Sequence, residues 1–142
     1  MRREQQSYDN YRKFAPLYHF VLAPIALIVI LASVVHAIRD AFGFASVLLL
    51  GLSLCVALIV ALLRQFATKL QDRIIRQEES FRHYVLTGNR LDPRLTLRQI
   101  IALRFADDDE FPALCTKAAE TGMKPDAIKR SITRWRADHD RV

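Results

Sequence analysis

The residues of this chain able to do chemistry are four histidines, two cysteines and one acidic run, and their spacing keeps them apart. His19 and His36 lie on one apolar stretch 17 positions apart, about 25 Å along a helix axis. A bis-histidine haem needs two axial ligands at one depth, and only an oligomer would bring two copies of either histidine together. His83 and His139 read as surface residues. Cys55 sits within a second apolar stretch and Cys115 in the charged remainder, without CxxC spacing, so each reads as a small packing residue rather than a reactive thiol. Asp107, Asp108, Asp109 and Glu110 are consecutive, and neighbouring side chains on a helix point in different directions. The run therefore reads as a helix start, where carboxylates satisfy free N–H groups and complement the dipole, rather than a cation site. The sequence has no GxSxG, HExxH, P-loop or GxGxxG. No catalytic, cofactor-binding or metal site is expected, and the chain reads as a non-enzyme that takes no cofactor.

The elements that would carry these residues are dominated by two stretches without Asp, Glu, Lys or Arg, residues 14–38 and 41–63, separated only by Arg39 and Asp40. Each exceeds the roughly 20 apolar residues that cross a bilayer. Arg2, Arg3, Arg12 and Lys13 precede them, and Arg64, Lys69, Arg73, Arg76 and Arg82 follow. Basic flanks stay on the cytoplasmic side, so the expectation is a two-pass protein with both termini in the cytoplasm. Val35-His36-Ala37 offers a signal-peptide reading, but the apolar run is too long for a signal core.

Four segments are expected. Residues 1–16 form an interfacial leader, with Tyr8, Tyr11, Phe14 and Tyr18 at helical spacing and Pro16 ending any short helix. Residues 17–63 form a transmembrane hairpin of spans 17–38 and 44–63, the first kinked near Pro24. Ala26, Ser53, Ala57 and Ala61 are the small residues expected to let these helices, or two protomers, approach closely. Nothing breaks the helix after Leu63 until Gly88, so 64–88 extends the second span into the cytosol. Along it Ala67, Leu70, Ile74, Gln77, Phe81 and Tyr84 follow a 3-4 spacing in phase with Leu63. This stripe either packs on the chain's own tail or forms a homo-oligomer through Leu70, Ile74 and Phe81.

Residues 89–142 predict a three-helix module. Thr96 and Gln99 make a capping box, with Leu95 and Ile100 as its hydrophobic staple. The second helix opens on the acidic run, carries Leu114, Ala118 and Ala119, and stops at Gly122. The third starts near Pro125 and continues through Ile128, Ile132 and Trp135. The fold class is thus all-α, a membrane hairpin followed by a small helical module.

Ala118, Gly122 and Ile128 also fit helix-turn-helix spacing, and Lys124, Lys129, Arg130, Arg134 and Arg136 would make the following helix basic. Ala-x3-Gly is common, and a basic helix beneath a bilayer also meets anionic headgroups. Nucleic acid is the less favoured partner.

The run Leu95-Thr96-Leu97-Arg98-Gln99-Ile100-Ile101-Ala102-Leu103-Arg104-Phe105-Ala106, then Asp109-Glu110-Phe111-Pro112-Ala113-Leu114, Ile128-Lys129 and the ending from Trp135 to Val142, resembles a bacterial family of small two-span membrane proteins of unknown function. The resemblance implies a bacterial inner-membrane location and carries over no activity, cofactor or catalytic residue. The expected role is a membrane-anchored interaction or scaffold protein whose module docks an unidentified protein partner or membrane complex. Its candidate contact residues are Arg104, Trp135, Arg136, His139 and Arg141. A membrane-tethered nucleic-acid binder is the alternative, and a channel-like or transport accessory hairpin a third reading that the uncharged spans disfavour.

Overall fold

The computed structural model describes residues 7, 8 and 15–138. Of the expected leader only Ser7, Tyr8, Ala15 and Pro16 are described; the rest, with Tyr11 and Phe14, lies outside the described residues, as do His139 and Arg141. The described chain falls into two units, residues 15–68 and residues 69–138 together with Ser7 and Tyr8. The chain is all-helical, and among the described residues the only β-type pairing is an isolated antiparallel bridge between Ala106 and Trp135.

In the first unit a π-helical turn, Leu17–Leu22, leads into α1 (Ala23–Arg39). Pro24 has no N–H to donate, and its ring would press on the carbonyl four residues back in a regular helix. The widened turn that precedes it takes up this irregularity. α1 ends in a tight turn in which Phe42 N–H donates to the Ala37 carbonyl at 2.8 Å and Gly43 N–H to that of Asp40 at 2.9 Å. Ala41 and Phe42 both adopt positive φ, 44° and 58°, a left-handed conformation that costs side-chain-bearing residues energy. At Gly43 an added Cβ would meet only the carboxylate end of the exposed Asp40 side chain, which can swing away, so the turn does not depend on glycine there.

α2 (Phe44–Thr87) then runs 44 residues without interruption, about 65 Å at 1.5 Å per residue. The stretches Leu17–Arg39 and Phe44–Thr87 are both long and apolar enough to cross a membrane. Their less exposed faces recur at 3-4 spacing, Ala23, Ala26, Ile30, Ser33 and Ala37 on α1 with Ser46, Leu50, Ser53, Ala57 and Val60 on α2. Ser33, Ala37, Ser46 and Ser53 are the buried members. The hydroxyls of Ser33 and Ser53 are 2.8 Å apart, and each also lies 2.8 Å from a carbonyl of its own helix, Ile30 or Leu50, so one hydroxyl donates across the pair while the other donates back to its helix. Ala26 and Ala57 are half-buried on these faces, whereas Ala61 is exposed. Large side chains point outward: Leu27, Ile28, Leu48 and Leu52 are all more than half exposed.

In the second unit α2 ends where Gly88 takes φ 72° and donates its N–H to Tyr84. α3 (Leu97–Leu103) starts on the expected capping box: Gln99 N–H donates to Thr96 Oγ1, and Thr96 N–H to Gln99 Oε1 at 2.8 Å. α4 (Phe111–Thr121) stops at Gly122 in the left-handed region, and α5 (Pro125–Ser131) has proline in its first turn. The core is Leu95, Ile100, Leu103, Phe105, Phe111, Leu114, Cys115, Ala118, Ile128 and Ile132, with Trp135 packed on its edge.

Three sequence expectations change. The acidic run precedes α4 in a turn, and Glu110 makes no side-chain cap bond. α5 is only seven residues long, so Trp135, Arg134 and Arg136 lie beyond it in an extended segment. On α2 the residues covered within this unit are Ile75, Glu79 and His83, while Leu70, Ile74, Phe81 and Tyr84 remain exposed.

Candidate partner-contact surface

Two charged clasps shape the second unit, and both join residues far apart in sequence. The first centres on Arg82 of α2. Its guanidinium lies over the Phe111 ring at 4.2 Å and donates to Glu79 at 3.0 Å, to Asp108 at 2.7 Å and to the Ala106 carbonyl at 2.7 Å. Three acceptors and an aromatic face satisfy a cation whose side chain is one-tenth exposed. Burial raises the Glu79 carboxyl above its ordinary value despite the opposing pull of Arg82. His83, expected at the surface, is buried instead, edge-on to Phe111 with Nδ1 3.1 Å from the Asn89 carbonyl. Burial pushes the Cys115 thiol up to about 12, with Glu79 adding to the shift. At that value the sulfur is a packing atom rather than a nucleophile.

The second clasp explains why α5 is short. The Glu110 carboxylate accepts from the backbone N–H groups of Thr133 and Arg134, both at 3.1 Å, and from the Thr133 hydroxyl at 2.7 Å. Three donors converging on one anion hold 133–134 outside the helical conformation. Asp109 pairs with Arg134 beside it. Arg136 N–H then donates to the Phe105 carbonyl at 2.7 Å, and Asp107 N–H to that of Arg134 at 3.0 Å. This short antiparallel pairing sets Trp135 against Phe105, ring centroids 5.2 Å apart. Burial alone would raise the Glu110 carboxyl, but the hydrogen bonds from Thr133 and Arg134 leave it below its ordinary value. The acidic run is therefore a clasp for the following chain, and its Glu110 gives α4 no side-chain cap.

Of the five candidate contact residues, Arg104 lies inside. It is 5 % exposed, stacks on Phe105 at 4.6 Å and pairs with Asp138 at 3.0 Å, so it braces the module instead of meeting a partner. Trp135 is half-buried at the core edge, and Arg136 is exposed with Asp108 4.0 Å away. The structure thus brings Arg104, Trp135 and Arg136 into one neighbourhood through Phe105 and its strand-like partner. Lys124, Lys129 and Arg130 stay with α5 whereas Arg134 and Arg136 do not, so the five basic residues do not form one helical face.

Tyr8 supplies a contact that sequence spacing did not suggest. Its hydroxyl donates to Asp126 at 2.7 Å and accepts from Arg130 at 3.1 Å, and the Arg130 guanidinium lies 5.2 Å from its ring. The Tyr8 hydrogen bond, with Arg130 beside it, lowers the Asp126 carboxyl below its ordinary value. A tyrosine 118 residues away thus occupies part of the basic face of α5.

A comparison with family models matches the whole of residues 1–142 to one described as a family of unknown function, DUF6526, and the chain belongs to that family. No curated protein and no solved structure matches it.

Proposed function

We propose that this member of the family is a membrane-anchored interaction protein whose helical pair sits in the bilayer and whose module presents the Trp135–Arg136 edge to a protein partner. The observation that carries the reading is the single helix α2, which begins among exposed leucines and valines and ends in the ion-paired clasp of Arg82. A surface of large apolar side chains is favourable against lipid and costly against water. The charge pattern supports cytoplasmic termini, because only Arg39 marks the turn while both flanks are basic. A bacterial inner membrane is the location that fits this reading. The residues of the second unit described above serve packing and chain placement, and the reading assigns it no catalysis and no cofactor.

The test isolates the tagged full chain from native membranes in mild detergent, beside an Arg136→Glu variant. One protein retained by the parent chain and lost from the variant is the expected result. Identical co-purifying proteins for both would overturn the proposed contact edge. Reporter fusions at Phe42 and Val142 test the topology separately: activity of a periplasmic reporter at Val142 would overturn it.

A further inference from the structure

The cytosolic part of α2 carries two different faces. Ile75, Glu79, Arg82 and His83 are covered by the module. Leu70, Ile74, Gln77, Phe81 and Tyr84 lie about 160° round the helix from them at 100° per residue. On that far side Leu70 is 59 %, Ile74 46 %, Phe81 69 % and Tyr84 55 % exposed. The same turns carry Lys69, Asp72, Arg73, Arg76 and Glu78, so lipid cannot be the solvent for this stretch, and an apolar stripe of this size in water needs a protein cover.

We infer that the cover is a second copy of this chain, paired in parallel and in register along Leu70, Ile74, Gln77, Phe81 and Tyr84. The spacing is 4-3-4-3, that of a coiled-coil seam, with β-branched Ile74 and Leu70 in the positions that favour two parallel strands. Exposed Arg73 and Glu78 flank the stripe on opposite sides. In a parallel pair Arg73 of each copy meets Glu78 of the other, two ion pairs of complementary sign. The remaining flanking positions, Gln71, Ser80 and Val85, are uncharged and oppose nothing. The module, on the far side of each helix, stays outside the seam.

Two heptads alone are marginal in water. The proposed bilayer compensates, because copies inserted the same way are already parallel and share a small volume. The inference rests on the membrane reading for that alignment.

The experiment uses the full chain in native membranes, with Cys55→Ala and Cys115→Ala as background and single cysteines at Ile74, Gln77, Asp72 or Arg76. Mild oxidation is expected to give several-fold more disulfide dimer from Ile74→Cys and Gln77→Cys than from Asp72→Cys and Arg76→Cys. Equal yields at all four positions, or none at the first two, would overturn the seam. Arg73→Glu or Glu78→Arg should lower the Gln77→Cys yield, and the double swap should restore it. A double swap that stays low overturns the parallel register. Carbonate extraction of the same samples reads the anchor separately: a chain released to the supernatant removes the membrane reading, while the position dependence still decides the seam.

Discussion

The two units conceal opposite kinds of side chain. Among the described residues of the first unit the buried positions are three serines and Ala37, and the large aliphatic residues face outward. In the module the bulkiest buried side chains are Phe105, Phe111, Leu103 and Ile128, and most of the outside is charged or polar. The polar contacts invert as well. One serine–serine bond crosses the first unit, whereas the second is tied by guanidinium and carboxylate clasps. The contrast follows from the solvent each outer surface suits. In hydrocarbon, burying leucine gains nothing over leaving it in lipid, so close backbone approach past small residues is what holds helices together. In water, burial of aromatic and aliphatic side chains drives folding, and a charged group can be buried only with its partners.

Substitutions can break that comparison. The largest effect is expected from Phe111→Ala, which empties the module's core and removes the ring beneath Arg82, at about 3–5 kcal/mol. Thermal unfolding of the full chain in detergent, followed by the fluorescence of its single tryptophan, measures it. Next come two arginines at exposed positions. Leu52→Arg should oppose insertion by about 3 kcal/mol, whereas Thr116→Arg on α4 should stay within about 0.5 kcal/mol. Carbonate-resistant yield reads the first and the melting midpoint the second. Equal tolerance of the two would mean that both units face the same solvent.

Glu110→Gln sharpens the contrast within the module. It weakens three hydrogen bonds to one charged acceptor and should cost about 1.5–3 kcal/mol. The emission of Trp135 should shift to the red as 133–138 leaves Phe105. Acid acts on the same clasp. Glu110 is held below its ordinary 4.5, so its contribution is present above that value and lost as pH falls through the lower folded value. Glu79 is raised from 4.5, so its contribution is fully present below 4.5 and lost as pH rises through the raised folded value. Acidification from neutrality should therefore first strengthen the module and then release the Trp135 segment, with Glu110→Gln lacking the second step. The smallest effect belongs to the first unit. Ser33→Ala removes the hydroxyl facing Ser53 and should weaken the helical pair by about 0.6 kcal/mol, read by unfolding in detergent.

What could be read directly from the sequence was local in origin. Helix ends at Gly88 and Gly122, the Thr96–Gln99 box and Pro125 each depend on groups within about four residues, as does the length of an apolar run. The small-residue faces were partly legible: Ser53 is buried and Ala57 half-buried, but Ala61 falls off the contact face by a single position on the helix. Periodicity identified Leu70, Ile74, Phe81 and Tyr84 as one stripe, yet which face of α2 meets the module depended on where α3 and α4 returned. Arg82 looked like one more basic flank until Ala106 and Asp108, 24 and 26 residues later, were beside it.

By itself, then, the sequence determined an all-helical chain with two apolar helices of span length and a charged remainder, because hydrogen bonding along a helix and the hydropathy of a run are properties of neighbours. Only the tertiary structure decided that Arg104 and His83 are interior, that Glu110 holds Thr133 and Arg134, and that α5 ends after seven residues. Those outcomes turn on the partners a buried charge or a backbone N–H finds across more than twenty residues, and a one-dimensional pattern carries no record of that proximity.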